Sequence, residues 1–178
     1  MLETERLVLR LPRLEDAAGV LEFVADPDVM RWLDGEPGDI EVAAAKIGRW
    51  LDCWERNGVG PFAVERDGRF VGRVGFLVWD AQVWDISSYA DATTPVTELG
   101  WTFARQHWGQ GYATEAARAA RAWGEERGIR TEISLIHPEN TRSMRVAEKL
   151  GAIPTDTVDL IGSPAVIWRY PAGQLPAR

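Results

Sequence analysis

The chain has 178 residues, 46% of them apolar, which suffices for one domain with its own core and argues against a disordered chain. Twenty basic residues against 27 acidic ones give a net charge of −7, which argues against general nucleic-acid binding and biases the partner toward a cation such as an amine. One cysteine, Cys53, excludes an internal disulfide, and two histidines, His107 and His137, with no cysteine partner and no H-E-x-x-H pattern argue against a metal.

No stretch approaches the roughly 18 apolar residues of a membrane helix, and the opening MLETERLVLR lacks an apolar signal core, so the chain reads as cytoplasmic with no membrane partner. A G-x-S-x-G elbow is absent, which disfavours that class of serine hydrolase. The nine tryptophans read as walls of a core or a pocket.

In chain order, Arg6 to Leu11 alternates as a strand and ends at Pro12. Glu15 to Val24 carries Ala18, Leu21 and Phe23 at helical spacing until Asp26-Pro27-Asp28 stops it, and Glu41 to Arg56 forms a second helix that buries the Cys53 thiol. Phe62 to Glu65 and Arg69 to Trp79 are strands joined at Asp67-Gly68, a hairpin signal. Asp80 to Pro95 has the least pattern and reads as a loop placed over a site; its Asp80, Asp85 and Asp91 are candidates to attract a cationic acceptor.

Thr97 to Arg105 is a strand, Thr114 to Arg127 a helix closed by Gly128, and Thr131 to His137 a strand parallel to the first. Asn140 to Leu150 is a helix closed by Gly151, and Ile153 to Val158 with Ala165 to Tyr170 makes a closing hairpin around Ile161-Gly162-Ser163-Pro164. The sum is an α+β fold of three layers, with about seven strands and about four helices.

The chemistry concentrates in Trp101 to Ala120, which runs from strand through a glycine-paired turn into an alanine-rich helix. Gly109 and Gly111 let backbone N–H groups approach a ligand, and the helix adds its unpaired N–H groups and positive dipole end. A phosphate or pyrophosphate suits such a seat. Thr114 stands where a Rossmann fingerprint needs a third glycine or alanine, and no Gly-Lys-Ser/Thr follows, so a Rossmann or Walker site does not fit.

Four motifs in register then resemble the GNAT acetyltransferases, and within them the branch that includes ribosomal-protein N-terminal (Rim-type) acetyltransferases. They are Thr4 to Arg10; Glu98-Leu99-Gly100-Trp101; Trp108-Gly109-Gln110-Gly111-Tyr112-Ala113-Thr114-Glu115-Ala116; and Asn140-x-x-Ser143 with Glu148-Lys149-Leu150-Gly151. The family loop Q/R-x-x-G-x-G/A is matched letter for letter by Gln106 to Gly111, whereas Trp108 to Ala113 follows the branch's usual alignment with Trp in the Gln/Arg position; the second is preferred because Tyr-Ala-Thr-Glu-Ala follows.

The resemblance implies a sheet with one parallel, splayed central pair and acetyl-CoA as co-substrate. It places the pyrophosphate on Trp108, Gly109, Gln110, Gly111, Tyr112, Ala113 and Thr114, and the pantetheine arm along Trp101 and Phe103 with the Asn140 amide. It implies direct transfer, through a tetrahedral intermediate, to a primary amine, either a small molecule or a protein N-terminus. The oligomeric state stays open, a homodimer included.

A free alkyl amine has a pKa of about 10.4, so roughly one molecule in a thousand is nucleophilic at neutral pH and a base is needed. Glu98, on one face of the central strand, is the candidate for general base or proton-relay entry, beside a structural ion pair or an amine anchor. The family's usual acid, a tyrosine seven residues after the helix asparagine, is here Ala147. Ser143 then becomes the candidate hydroxyl near sulfur, alongside a plain cofactor contact, and Asn140 can also be an N-cap. His107 and Arg105, and Arg142, Arg145 and Lys149, are within chain reach of phosphates but also read as solvated charges, and Glu115 reads as structural.

Overall fold

The computed structural model describes residues 1–33, 35–160 and 162–171. Its strands are β1 (Leu2–Glu3), β2 (Val8–Arg10), β3 (Pro61–Arg66), β4 (Arg69–Asp80), β5 (Asp85–Ile86), β6 (Pro95–Phe103), β7 (Ile133–Ile136), β8 (Ile153–Leu160) and β9 (Ser163–Arg169). Its α-helices are α1 (Ala17–Val24), α2 (Pro27–Met30), α3 (Ile40–Asn57), α4 (Tyr112–Glu125) and α5 (Thr141–Lys149). One sheet of nine strands runs β1-β2-β3-β4-β6-β7-β9-β8, with β5 paired to β4; every pairing is antiparallel except β6 with β7.

Two of these strands, β1 and β5, are only two residues long, too short to leave a period, which is why the sequence reads as about seven. The count of about four helices misses α2. Asp26-Pro27-Asp28 does end α1, yet it also starts α2: Asp26 accepts the Asp28 N–H and Pro27 takes the first helical turn, where its missing N–H costs nothing. The turn between β3 and β4 holds Asp67 and Gly68 at φ 50° and 72°, the left-handed pair a two-residue hairpin needs. Helix α4 starts two residues earlier than expected, at Tyr112. In the β8–β9 turn, Ile161 lies outside the described residues.

Segment 80–95 differs most from its reading. Asp80 accepts N–H bonds from Gln82, Thr93 and Thr94 at 3.0, 2.7 and 3.1 Å, which closes both ends of the segment on one carboxylate and holds it below the ordinary carboxylate range. Arg56 at the end of α3 binds Asp91 at 2.7 Å, and Asp91 accepts from Ser88 at 2.6 Å. The segment is thus tied to α3, β4 and β6.

Small residues set how closely α4 packs. Ala116, Ala117 and Ala120 are fully buried and let the helix lie against β4 and β6. The end of α3, β3, β4 and α4 meet in an aromatic group of Trp54, Phe62, Phe76 and Trp123, with centroids 4.8 to 6.2 Å apart. A second core gathers Val20, Phe23, Val24, Ile47 and Trp50 from α1 and α3, and Cys53 of α3 is buried as well. Burial pushes the Cys53 thiol up, which leaves it a protonated, inert side chain.

Candidate active site

The turn after β6 is built by the glycines that mark it in the sequence. Gly109 and Gly111 take φ 75° and 83°, a left-handed conformation that L side chains rarely adopt, and Gly111 is the N-cap of α4. No described side chain caps this helix, so its leading N–H groups face outward with the positive end of the helix dipole. A Cβ on Gly109 would meet nothing within 4 Å; the backbone presents itself to open space. Trp108 anchors the turn from below, donating its Nε1–H to the Phe103 carbonyl at 2.8 Å and packing against both cores.

A brace from the N-terminal segment holds the turn from behind. Arg6 donates to Glu115 through Nε at 2.7 Å and to the Gln110 carbonyl through Nη1 at 3.0 Å, while the Thr4 hydroxyl and the Arg6 N–H also bind Glu115, at 2.6 and 2.9 Å. Those bonds keep Glu115 below the usual carboxylate range despite partial burial, and its charge is spent on Arg6 and Thr4. Arg6 is therefore a positioning residue. If the turn seats the acetyl-CoA that the sequence resemblance implies, replacing Arg6 by Ala should raise its KM several-fold and leave kcat within about twofold in steady-state assays; an unchanged KM would show the turn to be self-supporting.

A cavity of ≈ 450 Å³ opens beside the turn. Of the expected residues, Glu98, Trp101, Phe103, Trp108, Gly109, Gly111, Tyr112, Ala113, Thr114, Asn140 and Ser143 all line it. Gln110 does not: its side chain turns back to donate to the Gln106 carbonyl at 3.0 Å. Gln106 itself binds Glu22 at 2.6 Å and is absent from the lining, so the structure gathers the Trp108 to Ala113 register around the cavity. His107, Arg142, Arg145 and Lys149 also line it, with the Arg142 guanidinium 4.8 Å over the Trp108 ring. Burial holds the His107 imidazole below its usual value, so it is neutral and offers no charge at neutral pH. Arg105 is occupied elsewhere, with Asp26 and Asp28 at 2.8 and 3.0 Å.

None of Asp80, Asp85 and Asp91 lines the cavity. The wall expected from segment 80–95 comes instead from Val29, Trp32 and Leu33 in and after α2. That helix left no usable period at four residues, and its role depends on its reaching the end of β7: the Trp32 and His137 rings lie 5.4 Å apart.

The far end of the cavity is the point where β6 and β7 part. Only Glu98 and Ile133 are in parallel register, preceded by the Glu132 N–H bonded to the Thr97 carbonyl at 3.0 Å. Beyond it, side chains take the place of the ladder. The Ser134 hydroxyl donates to the Leu99 carbonyl at 2.6 Å, and Glu98 Oε1 accepts the Leu135 N–H at 3.4 Å. The Tyr170 hydroxyl lies 2.9 Å behind Ser134, with its own pKa pushed up to about 12 by burial, so it stays protonated.

Glu98 is 7% exposed, and its Oε2 accepts the Trp79 Nε1–H at 2.6 Å. Burial pushes the Glu98 carboxyl up; the Trp79 bond, the Arg73 charge and the Leu135 N–H pull the other way and are outweighed. Arg73 reaches the same floor, with Nη1 2.9 Å from where a Cβ on Gly100 would stand. A carboxyl of raised pKa in a cleft is the state a general base near neutral pH requires. Asn140 caps α5 by accepting the Ser143 N–H at 3.2 Å, and the same residue lines the cavity. Ala147 is fully buried against the core.

Ser134, Tyr170, Trp79 and Arg73 were not singled out from the sequence. The nearest signal was position: Ser134 follows the residue opposite Glu98 in the parallel pair, which only the register reveals.

A glycine turn opening a helix, beside two parallel strands that part at a buried glutamate, defines a cofactor-cleft architecture, and the comparisons with known proteins agree with it. The family described as acetyltransferase (GNAT) domain matches residues 6–153, and the chain belongs to this family. An uncharacterized protein of Bacillus subtilis (strain 168), YkkB, is 33% identical over 175 residues, 94% of this chain and 93% of its own. The crystal structure of an acetyltransferase from Agrobacterium tumefaciens str. C58 superposes with a TM-score of 0.75 at 27% identity, covering 95% of this chain and 92% of that one. RimL, a ribosomal α-N-protein acetyltransferase solved with coenzyme A, gives a TM-score of 0.73 at 13% identity, covering 94% of each chain; at that identity it speaks for the fold.

Proposed function

We propose that the protein is an acetyl-CoA-dependent N-acetyltransferase that transfers the acetyl group directly to a primary amine. The observation that carries this reading is the raised, buried Glu98 at the point of strand divergence, in one cavity with the Gly109–Gly111 turn. Acetyl-CoA fits the residues present. The outward N–H groups at the start of α4 suit a pyrophosphate, Arg142, Arg145 and Lys149 add positive charge beside it, and Trp101, Phe103 and Asn140 border the path for the pantetheine arm. RimL, which shares the fold and was solved with coenzyme A, is consistent with this.

In this reading Glu98 takes a proton from the acceptor ammonium, directly or through water, and the thioester supplies the acyl group. The diverging strands leave backbone N–H groups to hold the oxyanion of a tetrahedral intermediate, an interaction worth about 3 to 4 kcal/mol per donor in measured enzymes. A departing thiolate with a thiol pKa of about 8.5 needs little help from an acid. Ser143 is the hydroxyl we assign to that end. The Rim-type branch and an N-terminal acceptor rest on the four sequence motifs, with Thr4 to Arg10, Trp108 to Ala113 and Asn140-x-x-Ser143 pointing to that branch.

A second reading, a non-catalytic acyl-CoA-binding or sensory module, is favoured by Ala147 standing where a catalytic tyrosine is common. Calorimetry with acetyl-CoA, followed by thiol release with a panel of amines and N-terminal peptides, separates the two. Binding with transfer supports the enzyme; binding without transfer to any amine supports the module.

A further inference from the structure

We propose that Ser134 and Tyr170 form a positioning pair that keeps β6 and β7 parted beside Glu98, and so holds the cleft open and the Leu135 N–H on the Glu98 carboxyl; this rests on the transferase reading above. The two strands meet at one register pair, Glu98 with Ile133. One further step of a parallel ladder would pair Gly100 with Leu135 and bring the Leu135 N–H to the Leu99 carbonyl. Side chains engage both atoms instead. The Leu99 carbonyl accepts the Ser134 hydroxyl at 2.6 Å, and the Leu135 N–H goes to Glu98 Oε1 at 3.4 Å.

The Ser134 bond is the shorter of the two, and it is supported from behind. A serine hydroxyl carries one proton. With that proton on the Leu99 carbonyl, the 2.9 Å contact between Ser134 and Tyr170 can only be a bond that the Tyr170 hydroxyl donates. Ser134 is 2% exposed and Tyr170 4%, so solvent has little access to either hydroxyl. Tyr170 is fixed in turn: its backbone N–H binds the Glu132 carbonyl at 3.0 Å, and the Arg121 guanidinium of α4 stands 4.8 Å over its ring. A directed chain, Tyr170 to Ser134 to Leu99, thus runs from the end of β9 across β7 to β6.

Without the Ser134 hydroxyl, the Leu99 carbonyl is left buried and unpaired, and the donor in register to satisfy it is the Leu135 N–H. That bond would zip the strands by one step and withdraw the N–H from Glu98. Among the described residues, the charged and titratable groups that bear on Glu98 are Arg73 of β4 and Tyr170, with the Trp79 Nε1–H as a neutral donor. Glu132, just before β7, is turned to the Thr97 N–H at 3.0 Å. Tyr170 stays protonated, so replacing it by Phe removes a hydrogen bond and no charge.

The test measures thiol release from acetyl-CoA against pH in the native protein and in Ser134→Ala, Ser134→Thr and Tyr170→Phe variants, with 2-phenylethylamine, spermidine and a short peptide with a free N-terminal serine as acceptors. With whichever of these the native protein turns over fastest, Ser134→Ala should lose about tenfold or more in kcat and raise KM for acetyl-CoA several-fold. Its kcat/KM limb should lie at higher pH than the native one, because Glu98 has lost a donor that favours its ionised form. Tyr170→Phe should move both readouts the same way by less, and Ser134→Thr, which keeps the hydroxyl, should restore most of the loss. A folded Ser134→Ala variant that melts lower but keeps the native kcat and limb would overturn the inference and leave the transferase reading standing, as would a limb displaced to lower pH. Should Ser134→Ala fail to fold, Tyr170→Phe decides, and a limb at the native position overturns the inference. Acetyl-CoA binding with no transfer to any amine would overturn both together.

Discussion

Replacing Glu98 by Gln is expected to lower kcat by about a hundredfold or more while KM for acetyl-CoA changes little, because the amide keeps the size of the carboxyl but takes no proton. The pH profile is the sharper readout. Burial raises the Glu98 pKa, so in the native protein kcat/KM should climb with pH along a limb lying above the ordinary carboxylate range. The variant should lack that limb. Retention of the limb in Glu98→Gln would show that another group carries it and leave Glu98 as an anchor held by Trp79 and Leu135.

The same shift predicts a cost in stability. A carboxyl whose pKa is higher folded than unfolded stabilises the fold fully below the unfolded value, and the contribution is lost as pH rises through the folded value. Above that window the charged, buried Glu98 burdens the fold. Glu98→Gln should therefore melt higher than the native protein at pH 8 and differ less at pH 4. An active site that holds a charge in a dry cleft trades stability for activity in this way.

Replacing Gly111 by Ala is expected to raise KM for acetyl-CoA about tenfold or more. At φ 83° an L residue costs roughly 1–2 kcal/mol, and the added Cβ would stand 3.4 Å from Arg6 Nη2. The chain relieves the strain by rotating the turn, and the N–H groups at the start of α4 then point away from the pyrophosphate. For a chain of this size each kcal/mol lowers Tm by about 2–4 °C, so the melting point falls by several degrees at most. A variant that loses the melting temperature but keeps its KM would show that the turn does not seat the donor.

These expectations draw unequally on what the sequence discloses. The turn was legible because its constraint is local: left-handed backbone demands glycine, an alanine-rich helix follows, and both requirements lie within a dozen residues. The hairpin at Asp67-Gly68 and the Asn140 cap of α5 were legible for the same reason. Glu98 was found through the motif around it, and its alternation on β6 placed it on one face.

What the sequence did not disclose lies across chain separations. Segment 80–95 reads as a roof because it lacks a period, yet Asp80 gathers its two ends and the roof is the short helix α2 with Trp32. The net charge of −7 suggests a cationic partner, whereas the cleft collects cations from β4 and α5 around one carboxylate. Ser134 and Tyr170 are ordinary residues until the parallel register sets them 35 and 36 positions from their partners, Leu99 and Ser134.

By itself, then, the sequence determined the glycine turn, the chain order of the longer strands and helices around it and the family to which they belong, since turn chemistry, capping and side-chain period act between near neighbours. The tertiary structure alone decided how β6 and β7 part, which groups raise and restrain Glu98, and which side chains line the cleft beside it. Burial and electrostatic environment are properties of the assembled space, made by residues that the chain brings together only when it folds.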